Sequence, residues 1–111
     1  MNKKELIDDF LKDFKPKQDQ SWKSCYFFTH YLKKNHKIKA ELLEGMSRIN
    51  KIDYWTVRLD GEDIDIHAKA VNTEPDFIDK PEMIWSLKQF VVKRLRVSQN
   101  CKLTDFGNTF Y

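Results

Sequence analysis

One cysteine and one histidine are the side chains of this sequence best suited to covalent chemistry. Cys25 lies in the first turns of a predicted helix, where backbone amides favour a thiolate. Asp65 and His67 lie two residues apart in a predicted strand, so they share one face of it. Cys25 would attack a carbonyl carbon, His67 would accept the proton, and Asp65 or Asp63 would orient the imidazole.

The other histidines are poorer candidates for the base. His30 follows Cys25 by five residues and lies off its helical face, and His36 lies among lysines at the predicted helix end. The alternative is structural: Cys25 is then a small buried side chain, and His67 pairs with a neighbouring carboxylate. Both interpretations remain open from the residues alone.

Cofactor and metal sites are not expected. The two cysteines, Cys25 and Cys101, form no CxxC pair and have no Cys/His ligand spacing, which argues against structural zinc. The sequence has no GxxxxGK[ST] or GxGxxG motif, so the common nucleotide-binding enzymes are excluded. We expect free thiols, no metal and no cofactor.

Length and composition predict one domain over residues 1–111. The chain has 111 residues, of which 41% are hydrophobic and 14% aromatic, enough for a packed core without disulfides. Its net charge of +3 names no partner class. No apolar run approaches the ~20 residues of a membrane span, and the first residues lack a signal sequence. We expect a cytoplasmic protein without a membrane partner.

Three helices are predicted. Asn2 caps the first, which ends before Pro16. The second begins at Asp19 or Ser21 and ends at about Lys34. In the third, Asp79 caps and Pro81 occupies the first turn, and the helix ends near Val97.

Three strands are predicted between the second and third helices, at about 38–49, 52–59 and 62–71. The order α-α-β-β-β-α indicates an α+β fold with helices packed on a three-stranded antiparallel sheet. A two-residue turn at Asp60-Gly61 pairs Val57 with Ile64 and places Asp65 on the face away from Trp55. A three-residue turn with a bulge would place Asp65 on the Trp55 side.

Three segments, SWKSCYFFTHYL, AELLEGM and DYWTVRLDGEDIDIHA, resemble the core of papain-like and transglutaminase-like cysteine hydrolases, including small phage-borne relatives. The resemblance implies that Cys25 is the nucleophile, that Trp55 is the tryptophan of the middle strand, and that Asp65 orients the base. The base itself is replaced, because Asp53 occupies the position of the family's histidine. A carboxylate is a poor proton acceptor for a thiol.

The missing base favours a non-catalytic domain with a degenerate cysteine-hydrolase core that binds a protein partner. An inhibitor of a host system carried by a phage or mobile element would fit this description. Aromatic side chains are the expected interface anchors: Trp55, Tyr54, Phe28 and Tyr31.

Two alternatives remain. The first is an active thiol hydrolase or acyltransferase that uses Cys25 with His67 and Asp65. The second is weak nucleic-acid binding through basic residues of the third helix: Lys88, Lys93, Arg94 and Arg96.

Overall fold

The computed structural model describes residues 2–16, 20–48, 52–76 and 83–97, with only the backbone of 95–97. Within these ranges the helices are α1 (Lys3–Leu11), α2 (Ser21–His36), α3 (Ile66–Val71) and α4 (Leu87–Val97). The strands are β1 (Glu41–Met46), β2 (Asp53–Leu59), β3 (Glu62–Ile64) and β4 (Met83–Trp85). The strands form one antiparallel sheet, so the predicted α+β class is confirmed.

The sheet has four strands in the order β3-β2-β1-β4, one more than predicted. β4 pairs with β1, where Trp85 lies opposite Leu42. The helix expected from Pro81 therefore begins only at Leu87. Its start is fixed by a reciprocal pair of hydrogen bonds, in which each of Ser86 and Gln89 donates its backbone N–H to the other's side chain. Asp79 and Pro81 lie outside the described residues.

The β2–β3 hairpin has the two-residue turn predicted from Asp60-Gly61. Val57 lies opposite Ile64, and Asp60 and Gly61 have φ angles of 53° and 78°. Positive φ at both central residues is the requirement of a type I′ turn, which a flexible glycine meets readily. The register that places Asp65 away from Trp55 is therefore confirmed.

The predicted third strand, 62–71, is wrong beyond Ile64, because the chain turns there into the short helix α3. The Asp65 side chain accepts a hydrogen bond from the Ala68 backbone N–H at 3.0 Å and so caps the helix. Asn72 closes it with a left-handed backbone conformation. His67 consequently lies in a helix, and the shared strand face proposed for His67 and Asp65 does not exist.

The aromatic helix α2 lies at the centre of the core. Phe10 of α1 packs against Phe28 with ring centroids 5.2 Å apart. On the other side, Phe90 of α4 stacks on Tyr26 and meets Trp55 edge-on at 5.0 Å. Coverage from both sides buries most of the α2 aromatics. No helix in the described ranges is long and apolar enough to cross a membrane.

Candidate functional site

The proposed nucleophile, Cys25, is completely enclosed in the core, with 0% of its surface exposed. Burial, and to a smaller extent the negative charge of Asp65, raises the pKa of the Cys25 thiol well above its usual range. The thiolate that cysteine chemistry requires is therefore strongly disfavoured. No substrate carbonyl can reach this side chain in the structure.

His67 is also buried, and its ring bonds to a serine. Its Nδ1 lies 2.7 Å from the Ser24 hydroxyl oxygen, and this hydrogen bond ties α3 to α2. Within the described part of the chain, no hydrogen bond joins the Cys25 thiol to an imidazole. The Nδ1 atom of His67 is thus engaged by Ser24. Sequence reasoning missed Ser24, which precedes Cys25 directly.

Asp65 joins three parts of the fold through its carboxylate. The Tyr54 hydroxyl donates to it at 2.9 Å, and the backbone N–H groups of Ala68 and Asp76 donate at 3.0 Å each. Burial, followed by the Asp65 charge, raises the pKa of Tyr54, which keeps its hydroxyl protonated as a donor. Asp65 therefore holds Tyr54 and the start of α3 in place, and no bond to His67 is found among the described residues.

Asp53, at the position where the predicted resemblance to cysteine hydrolases would require the base, lies on the other face of the sheet. Its carboxylate accepts a hydrogen bond from Trp55 Nε1 at 3.2 Å. Burial, and then the neighbouring Glu44 carboxylate, raises the pKa of Asp53. Because side chains alternate along β2, Asp53 and Trp55 point away from the face that carries Tyr54 and Asp65. The carboxylates of Asp53 and Asp65 therefore cannot act on one substrate.

The expected aromatic anchors are core residues with one exception. Trp55 and Phe28 are 1% and 0% exposed, and Tyr54 is buried beside Asp65. Only Tyr31 is partly exposed, and its hydroxyl donates to Asp9. Three of the four anchors therefore offer no surface to a partner, because α1, α4 and the sheet enclose them.

Two of the predicted phosphate-binding residues are engaged inside the fold. Lys93 forms an ion pair with Glu44 at 3.2 Å and lies 4.6 Å above the Trp85 ring. The Arg94 guanidinium lies 4.1 Å from the centroid of Trp22. Lys88 is exposed, and the side chain of Arg96 is outside the described part. Cation–π contacts thus occupy charges expected to meet phosphate.

Residues of β3, α1 and α3 line a groove that sequence reasoning missed. Its volume is about 1100 Å³, and its walls come from α1, β2, β3, α3, Arg48 and the segment 72–75. Ile7, Leu11 and Ile64 supply apolar surface, and the lining also includes lysines and carboxylates. We call this feature the β3 groove. Its walls are distant in sequence, so no local pattern indicates it.

Nothing in the described ranges brings three metal-binding side chains together. Comparisons with protein-family models, with curated proteins and with solved structures find no significant match to this chain. The resemblance to cysteine hydrolases therefore stays a prediction that depends on the three short segments.

Proposed function

We propose that the chain is a non-catalytic protein-binding domain whose binding surface is the β3 groove. The observation that carries the proposal is the complete enclosure of Cys25. A catalytic nucleophile must meet both its base and its substrate, and here the imidazole of His67 bonds to Ser24 instead. What remains for function is a surface, and the β3 groove, with a volume of about 1100 Å³, is a concave one.

The size and lining of the β3 groove support a polypeptide as the ligand. Small-molecule pockets usually enclose roughly 300–1,000 Å³. The β3 groove, at about 1100 Å³, is larger. Its lining combines apolar and charged residues, a mixture typical of interfaces between proteins that also exist separately. A polypeptide segment can match such an elongated, mixed surface.

Alkylation of Cys25 tests the non-catalytic part of this proposal. We expect iodoacetamide to modify Cys25 in the native protein about 1,000-fold more slowly than in the guanidinium-unfolded chain, because alkylation requires both exposure and the thiolate. Peptide mass spectrometry measures the rate at Cys25, with Cys101 as the second thiol in the same sample. A native rate at Cys25 that exceeds the unfolded rate would contradict the proposal, since it would reveal an activated thiol.

Site-specific photo-crosslinking tests the binding part. A benzophenone amino acid replaces Thr73, which is exposed in the wall of the groove, and, in a matched control, Lys88, which is exposed on α4. In extract of the cells that encode the chain, we expect a discrete protein adduct from position 73 that excess unlabelled protein suppresses. Equal adducts from both positions, or no suppressible adduct at position 73, would refute the groove as the binding surface.

A further inference from the structure

A second, smaller pocket lies between the C-terminal half of α2 and the start of α4. Its volume is about 270 Å³, and the connection from α2 to β1 supplies part of its wall. The pocket and the β3 groove have no described lining residue in common, so they are separate sites. We call it the lysine pocket, because Lys33, Lys39 and Lys88 line it.

The inner wall of the lysine pocket is aliphatic. Among the lining residues, Thr29 and Ala40 are buried. Ile38 and Leu87 are half-buried. The Thr29 hydroxyl already donates to the Cys25 backbone carbonyl at 2.6 Å, so it does not require a polar ligand group. The inner wall therefore favours an apolar group of a ligand over a polar one.

The mouth of the lysine pocket is positively charged. Its three lysines are exposed, and none of them has an ion-pair partner in the part of the chain that the structure describes. Glu41 is the one carboxylate among the described lining residues, and Arg58 lies opposite it in the β1–β2 ladder, which offsets part of its charge. The β3 groove, by comparison, has four cations and four carboxylates among its described lining residues.

The two helices that border the lysine pocket agree with this charge. The α4 helix, with 11 residues, begins at the pocket, and the first turn of a helix carries about half a positive charge. The C-terminus of α2 has the opposite polarity, but the backbone N–H groups of Lys37 and Ile38 bond to its last carbonyl groups at 3.1 and 3.0 Å. An anionic group at the mouth is therefore favoured.

We propose that the lysine pocket binds a small organic anion. Its aliphatic part lies against Ile38, Ala40 and Leu87, and its carboxylate or phosphate head faces the lysines at the mouth. The pocket volume equals that of about nine molecules of liquid water, which suits a chain of about eight carbons. This site is additional to the β3 groove and does not depend on the proposed function.

Ligand titration followed by NMR of the backbone amides tests the inference on the isotope-labelled full chain. The probes are octanoate, octyl phosphate and octylammonium, which share one chain and differ in the head group. We expect both anions to give saturable shifts at the amides of Lys39, Ala40 and Leu87, and to bind at least about tenfold more tightly than octylammonium. The tighter anion identifies the head group. Equal binding of octylammonium, or no saturable shift at these amides, would overturn the inference.

Hexanoate tests whether the chain enters the lysine pocket. It has two methylene groups fewer than octanoate, so we expect roughly tenfold weaker binding if the chain is buried. Added salt should weaken the octanoate complex, because the lysines are exposed. Equal affinities of hexanoate and octanoate would overturn the inference, since the chain would then lie outside the pocket.

Four variants locate the binding. Lys33→Gln and Lys39→Gln should each weaken octanoate about threefold, whereas Lys12→Gln, at an exposed lysine at the end of α1, should change the affinity less than about 1.5-fold. Ala40→Leu reduces the volume of the pocket and should weaken octanoate at least about tenfold while circular dichroism stays unchanged. Equal effects of the three lysine exchanges would overturn the assignment to the lysine pocket, whether or not Ala40→Leu folds.

A second copy of the chain is the competing occupant. If the amides of Lys39 and Leu87 shift with protein concentration in the absence of ligand, the lysine pocket is an interface between copies and the inference is wrong. The cross-link at position 73 does not depend on any of these results. The function proposed for the β3 groove is therefore tested separately.

Discussion

The hydrogen bond between Tyr54 and Asp65 makes the clearest test of how this fold holds together. The exchange Tyr54→Phe removes one hydroxyl, which lies 2.9 and 3.1 Å from the two Asp65 oxygens, and keeps the ring. A hydrogen bond to a charged group contributes about 1.5–3 kcal/mol. Because Asp65 retains two backbone donors, we expect a loss near the lower end, about 2 kcal/mol.

Urea unfolding followed by circular dichroism measures this loss. For a domain near this size, about 2 kcal/mol corresponds to a melting temperature lower by roughly 8–16 °C. The comparison variant is Tyr31→Phe, which removes a hydroxyl bonded to Asp9 and His36; because Tyr31 is less buried than Tyr54, the loss should be smaller. A loss from Tyr54→Phe no greater than the loss from the control would refute the structural role of Asp65.

A double-mutant cycle with Tyr54→Phe and Asp65→Ala isolates the pair. The two residues are in direct contact, so we expect a coupling free energy of about 1–2 kcal/mol. Additive effects, within about 0.5 kcal/mol, would show that Asp65 stabilises the fold through its backbone donors alone. The contact between β2 and α3 would then not depend on the tyrosine hydroxyl.

Three further outcomes follow from the same structure. The exchange Phe90→Ala empties a fully buried site beside Trp55. It should lower the free energy of unfolding, measured by urea titration, by about 3–5 kcal/mol. A loss below about 1 kcal/mol would place α4 outside the core. Burial and the Glu44 carboxylate raise the pKa of Asp53 in the folded state above 3.8. Protonation of Asp53 therefore stabilises the folded state at low pH, and this stabilisation is lost as the pH rises through the raised pKa. Asp53→Asn should therefore gain stability relative to the parent as pH increases from about 3.8, and a difference independent of pH would contradict that cause. Cys25→Ala should keep the suppressible cross-link at position 73, whose loss in a folded variant would implicate the thiol in function.

Several local features could be predicted from the sequence because neighbouring residues decide them. The Asn2 cap is confirmed: its side chain accepts from the Glu5 backbone N–H, and the Asn2 backbone N–H donates to the Glu5 carboxylate. The Asp60-Gly61 turn fixes the hairpin register through its positive φ angles, and the apolar pattern of β2 agrees with it. Two other local signals were present and missed. Ser86 with Gln89 marks the start of α4, and Asp65 caps α3.

The site depended on contacts that no local pattern contains. The sequence determined that Cys25 lies on the packed side of a helix, but only the tertiary structure decided that its neighbours exclude solvent and that His67 turns to Ser24. The β3 groove likewise combines α1, near the start of the described chain, with β2, β3, α3 and the segment that follows α3. Local hydrogen bonds and turn geometry are encoded over a few residues, whereas burial and charge complementarity arise only when distant segments pack together.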